Sequence, residues 1–213
     1  NDPAIAPAYP SVVLGGKEML FVSGYDVYSA KATPAQPDKF ALPVPLLPPS
    51  SAAPEVKVAV TADSTTMIVS RRDGPMISPD FPGPSDRFYQ YTRAQVQPGA
   101  AYAGGADVTP VVGTVGLSIC PTLSTDGLHM FTTTTESATL TMANAPDVVT
   151  IYYTSRPDRS MPWAQSQAIA VAKAPPGILC PSSVTADGCQ LVFHRFGLGD
   201  LPSYSMYIAQ RAP

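Results

Sequence analysis

One phrase recurs along this chain, and the recurrence limits the folds open to it. "CPTLSTDGLHMF" begins at Cys120 and "CPSSVTADGCQLVF" begins at Cys180. Both run through Ser and Thr into Asp-Gly and then turn apolar in alternation. The turn itself is written four times, as "GGKEML" from Gly15, "DSTTMI" from Asp63, "DGLHMF" from Asp126 and "DGCQLV" from Asp187. Each copy has a turn-former, a small residue, two variable positions and then Met or Leu. Asp-Gly between alternating apolar runs signals a hairpin, because tight turns demand positive φ. Each copy therefore predicts an inner strand such as 119–123, a turn, and a second strand such as 128–132.

A second phrase follows each hairpin: "YQYTR" ending at Arg93, "YYTSR" at Arg156 and "YIAQR" at Arg211, with a shorter "YSAK" ending at Lys31. The spacing from turn Asp to terminal Arg is 30, 30 and 24 residues. Aromatic residues alternating with polar ones predict a third strand with one face buried. A fourth strand is predicted in "KFALPVPLL" from Lys39, "ADVTPVVG" from Ala106 and "SQAIAVA" from Ser166. The last copy has no such segment before Pro213, yet "PAIAPA" from Pro3 echoes "QAIAVA" from Gln167. The expectation is an all-β chain folded as a four-bladed β-propeller closed by N-terminal strand exchange. Its blades are placed near 11–47, 56–112, 117–171 and 178–213, with 3–8 closing the last. The 25 prolines, spread along the chain, argue against long helices. No apolar run approaches the roughly 18 residues that span a bilayer.

"CPTLSTDGLHMF" with "IYYTSR", and "CPSSVTADGCQLVF" with "MYIAQR", resemble TolB-like propeller repeats. Those repeats read Pro-x-Leu/Trp-Ser-x-Asp-Gly, then an apolar strand, then an aromatic-rich strand ending in a basic residue. The first copy departs with Gly15-Gly16 and the second with Asp63-Ser64. The resemblance implies an extracytoplasmic location (periplasmic, lipoprotein-anchored or secreted) and ligand or protein binding. The chain begins at Asn1 rather than Met, as expected of a processed or trimmed product.

Sequence motifs for chemistry are sparse. A net charge of −3 with 14% charged residues argues against nucleic acid as a partner. Gly-x-Ser-x-Gly, His-Glu-x-x-His, Walker A and dinucleotide fingerprints are absent. The two histidines, His129 and His194, read as strand residues, and the turn aspartates as turn-formers rather than calcium ligands. The expectation is a non-catalytic protein without cofactor or metal. Tyr89, Tyr152 and Tyr207 are expected to pack between blades, and Trp163 to be a local plug or an exposed contact. Cys120, Cys180 and Cys189 lack metal-ligand spacing. Three free thiols are expected, with one disulfide plus one thiol as the alternative. A Cys180–Cys189 bridge is disfavoured, because the hairpin register sets residue 180 nearer 193.

Long loops on a rigid scaffold are where function is sought. The face carrying the loops between second and third strands should gather Tyr25, Arg71, Arg72, Asp73, His194, Arg195 and the segment "TTTTESATLT" from Thr132. The expected function is binding of a protein or glycan ligand, on the envelope or outside the cell, across that face. The alternative is a lectin, or a small propeller glycosidase with carboxylates in the axial channel. The loop 70–86 is expected to present Arg71 and Arg72 to a partner. On that reading, replacing both by Ala leaves the fold intact and weakens binding.

Overall fold

The computed structural model describes residues 8–74, 76–78, 81–84, 86–109, 117–135, 149–169, 178–196 and 205–210. The first sheet holds β1 (Ala8–Val13), β2 (Glu18–Ser23), β3 (Asp26–Thr33) and β4 (Gln36–Phe40) in that order, with β5 (Val44–Pro45) also pairing β3. The second is built of β6 (Glu55–Val60), β7 (Thr66–Arg71), β10 (Arg87–Thr92) and β11 (Ala103–Asp107). Between β7 and β10 the loop forms a small hairpin of β8 (Met76–Ser78) and β9 (Phe81–Pro84). The third sheet runs β12 (Leu117–Leu123), β13 (His129–Thr135), β14 (Val149–Ser155), β15 (Gln167–Ile169). The fourth runs β16 (Ile178–Val184), β17 (Gln190–Phe196), β18 (Ser205–Gln210). This is the all-β, four-bladed propeller arrangement expected. Of the closing segment 3–8, residues 3–7 lie outside the described residues and Ala8 begins β1.

The repeated turn is held by its own side chains. Thr61, Ser124 and Thr185 donate their hydroxyls to Oδ1 of Asp63, Asp126 and Asp187 at 2.7, 2.5 and 2.5 Å. The same oxygens accept the backbone N–H of Thr65, Leu128 and Cys189. The residue after each Asp takes positive φ: 59° at Ser64, 74° at Gly127 and 68° at Gly188. Ser64 tolerates this as an outlier, whereas glycine does so without a Cβ penalty. The third strand's basic residue then closes on the turn. Arg93 Nε donates to Ser64 O at 2.6 Å and Arg156 Nε to Gly127 O at 2.9 Å. That contact explains why the two phrases keep a fixed distance in two copies. Arg211 lies outside the described residues.

Neighbouring turns are stitched together. The Leu14 N–H donates to Ala62 O at 2.9 Å, and the Ala62 N–H to Thr125 O at 3.3 Å. Among the described residues, three apolar clusters lie between the sheets. Leu20 and Val22 of the first sheet meet Val58, Met67, Val69 and Tyr91 of the second. Ala59, Ile68 and Phe88 meet Leu123, Met130 and Trp163. Phe131 and Ile151 meet Leu179, Val184, Leu191 and Phe193. The Met or Leu of each repeat (Met67, Met130, Leu191) thus faces the preceding sheet, while Ile68 and Phe131, one residue later, face the following one. Tyr89 and Tyr207 pack against these clusters. Trp163 is a plug: it is buried, donates Nε1–H to Gln90 Oε1 at 2.8 Å, and lies 4.2 Å from the Arg156 guanidinium. Between the first two sheets, Glu18 and Arg93 form a fully buried ion pair at 2.6 Å, and Ser29 Oγ and the Gly99 N–H also donate to Glu18. Those extra donors make a buried carboxylate tolerable.

The expected three free thiols are corrected. Cys120 and Cys180 are joined by a disulfide with Cα atoms 5.3 Å apart, and Cys189 is free and exposed. The reason is a bulge in each inner strand. In β12, Ile119 pairs Thr133 and Thr122 pairs Phe131; in β16, Cys180 pairs His194, Pro181 pairs Phe193 and Ser183 pairs Val192. Thr133 and His194 stand six residues past Gly127 and Gly188 respectively. Structurally, therefore, Cys180 corresponds to Ile119, and Cys120 is offset from it by one residue. Cys120 takes φ 67° within its bulge, and both sulfurs are buried between neighbouring inner strands. Thiol titration of denatured, unreduced protein should give one thiol, rising to three after reduction. Replacing both bridged cysteines by Ser should cost about 4 kcal/mol, by the loop entropy of a 60-residue separation. Three thiols without reductant would refute the pairing.

Candidate functional site: the axial channel

The four inner strands do not fill the axis. They leave a half-open cavity of about 390 Å³, lined among others by Ser11 and Val13 of β1, Lys57 and Val60 of β6, Thr122 and Leu123 of β12, Ser182 and Val184 of β16, and His194 of β17. That size falls within the range of small-molecule sites, which combine apolar walls with a few convergent polar groups.

Lys57 occupies a repeat position. It pairs with Ser70, which stands six residues past Ser64, so it holds in β6 the place of Ile119 and Cys180 in the next inner strands. This level of the ring points at the axis. Lys57 Nζ crosses to the fourth sheet, donating to Pro181 O at 2.8 Å and lying 3.6 Å from Cys180 Sγ. Thr122 Oγ1 donates to the same carbonyl at 2.8 Å, so Pro181 O joins three sheets. Burial drives the Lys57 ammonium down to about 7.

Beside it, Ser182 is the extra residue of the β16 bulge, lying between the paired Pro181 and Ser183. Bulges re-aim side chains. Here Ser182 Oγ and His194 Nδ1 sit 2.6 Å apart. Burial, reinforced by the nearby Lys57 charge, lowers the His194 pKa below its ordinary value.

The sequence-predicted residues separate into two places. Tyr25 is exposed, and its carbonyl accepts the Glu55 N–H at 2.9 Å. Arg71 reaches the same Glu55 at 3.1 Å, donates to Tyr91 Oη at 2.7 Å and Pro49 O at 3.1 Å, and covers the Tyr89 ring at 4.4 Å. Asp73 lies 3.8 Å from Arg71 and accepts from Tyr89 Oη at 2.9 Å. Arg72 pairs the buried Asp86 at 3.0 Å. Tyr25, Arg71 and Asp73 therefore gather around Glu55, with Arg72 adjoining. His194 lies in the channel instead. Arg195 is placed only by its backbone, opposite Leu179 and Ser205. Of "TTTTESATLT", Thr132 to Thr135 lie in β13 and the rest falls outside the described residues.

Sequence reasoning passed over Lys57 and Ser182. The signal for Lys57 was a charge set between valines in the inner strand "EVKVAV", two residues after Glu55. Ser182 carried no spacing signal: Cys180 stands seven residues before Asp187, as its structural counterpart Ile119 does before Asp126, and the shared Cys-Pro hid that equivalence. Among the described residues, no group of three or more His, Cys, Asp or Glu side chains is placed to hold a metal, and no helix is long and apolar enough to cross a membrane.

No protein-family model and no curated protein matches the sequence. Among solved structures, TolB from Acinetobacter baumannii is similar at a TM-score of 0.55 and 11% identity, over 97% of this chain and 41% of that one. A protein of Bacteroides uniformis, described provisionally as a 6-phosphogluconolactonase, aligns at a TM-score of 0.45 and 11% identity over 97% of this chain and 56% of that one. The periplasmic gluconolactonase of Pseudomonas aeruginosa aligns at 0.44 and 13% identity over 96% of this chain and 57% of that one. The chain thus spans roughly half the length of these proteins or less. The expectation of a non-catalytic protein is corrected: the last two of these propellers are described as lactonases, and a fold does not by itself decide activity. The likeness to TolB is one of fold.

The expectation that the two arginines can be removed without cost to the fold is also revised. Glu55 is fully buried, and burial holds its pKa above the usual value despite bonds from Ser51 and Arg71. Arg71→Ala would leave that carboxyl uncompensated and should cost about 3 kcal/mol. Adding Glu55→Gln should recover part of the loss. Equal urea midpoints for wild type and Arg71→Ala would contradict this account.

Proposed function

We propose that this propeller binds a small organic anion bearing hydroxyl groups, such as a sugar acid, in its axial channel. The observation that carries the reading is Lys57, an ammonium at the axis of a 390 Å³ cavity whose walls also hold His194, Ser11, Thr125, Ser182 and Ser183. In a low-dielectric site a cation attracts an anion more strongly than in water. Hydroxyls on the wall offer both donors and acceptors to a polyhydroxylated ligand. The reading keeps the carbohydrate alternative raised by the sequence, and moves it from carboxylates to a lysine. An extracytoplasmic location goes with it, supported by the buried Cys120–Cys180 disulfide, since such bonds persist in oxidising compartments. Binding of a protein or surface ligand across the loop-rich face is a second reading, favoured by the exposed Tyr25 ring.

Calorimetry with glucuronate against glucose tests the first reading. Lys57 is charged below about 7, so the anion should bind at pH 6 and lose about tenfold in affinity by pH 8. Glucose should bind far more weakly, and Lys57→Met should abolish the pH dependence. Equal binding of both sugars, or an unchanged profile in Lys57→Met, would refute the channel as an anion site.

A further inference from the structure

We propose that Ser182 and His194 form a nucleophile–base pair that cleaves esters of small carboxylic acids in the axial channel. The proposal rests on the channel being the ligand site, and goes beyond binding by assigning a covalent step. Three observations carry it. Ser182 Oγ lies 2.6 Å from His194 Nδ1, within the reach a base needs to take a hydroxyl proton. Ser182 is the solvent-exposed residue of a bulge, freed from strand pairing on a wall of the cavity. Lys57 Nζ bonds the carbonyl of the preceding residue, Pro181, which puts a cation next to the nucleophile. A lowered His194 pKa keeps the imidazole neutral and able to accept a proton near pH 7.

The step balances within these groups and water. Ser182 Oγ bonds to the ester carbonyl carbon as its proton passes to His194 Nδ1, and Lys57 offsets the negative charge developing on the carbonyl oxygen. The C–O bond to the leaving alcohol breaks, and that alcohol takes the proton from His194. Water then attacks the acyl-Ser182 carbonyl, giving its proton to His194, and the acid leaves as Ser182 is reprotonated.

The test treats the intact chain with a fluorophosphonate, which forms an O–P bond to an activated serine and releases fluoride. Mass spectrometry of the intact protein and of its peptides locates the adduct. One adduct on Ser182 is expected, absent in Ser182→Ala and formed at least about 100-fold more slowly in His194→Gln. Both variants are compared at equal folded fraction, by thermal unfolding. No adduct on the wild type, or an equal adduct on Ser182→Ala, overturns the proposal. Glucuronate binding is measured on the same samples. Anion binding without labelling leaves the anion reading standing and sinks this one. Labelling of Ser182 that glucuronate neither slows nor competes with supports this step and counts against the anion reading.

Discussion

The second and third sheets must each bury two apolar faces, and neither can do that alone. In β7 every residue from Thr66 to Ser70 is buried, with Met67 and Val69 turned to the first sheet and Ile68 to the third. A strand apolar on both faces needs a neighbour on each side. Repetition of that demand by successive hairpins arranges the sheets about an axis, and the rest of the structure follows. The Asp turns and their closing arginines hold each sheet's shape, and the Leu14–Ala62 and Ala62–Thr125 bonds hold the spacing between sheets.

The same arrangement creates the channel. Inner-strand residues at one level converge, so what the repeat places there meets across the axis rather than facing solvent. Two such residues are Lys57 and Cys180, whose terminal atoms lie 3.6 Å apart. Bulges in β12 and β16 shift the local register by one residue. One consequence is the disulfide, and another is the approach of Ser182 to His194. The residues that each inner strand places at its bulge thus produce the chemistry of the site, while the repeat itself produces the scaffold.

Much of that scaffold was legible in the sequence, because turn chemistry is local. Asp63, Asp126 and Asp187 bond to residues two positions away, and the alternation after them marks which side chains are buried. The fourth strands were visible in part: β15 falls within its predicted run, whereas β11 begins three residues before its own and overlaps it at Ala106 and Asp107. The site was not legible in the same way. Cys120 and Cys180 looked equivalent by their shared Cys-Pro, and only the strand register reveals the offset that lets them bridge. Arg71 and Arg72 looked like loop residues offered to a partner, but Arg71 turns in to the buried Glu55 and Arg72 pairs Asp86 at the far end of the same loop. Lys57 carried a weak signal that gained meaning only once four inner strands were placed around one axis.

The charge state of Lys57 decides whether the channel takes an anion, and that state can be measured directly. Lysine labelled with carbon-13 at Cε reports each ammonium's titration by NMR, and Lys57→Met assigns the resonance. A midpoint near 7, moving upward when glucuronate is added, is the predicted result. A midpoint near the ordinary value of 10.5, unmoved by the ligand, would show a solvated lysine and contradict the channel as an anion site.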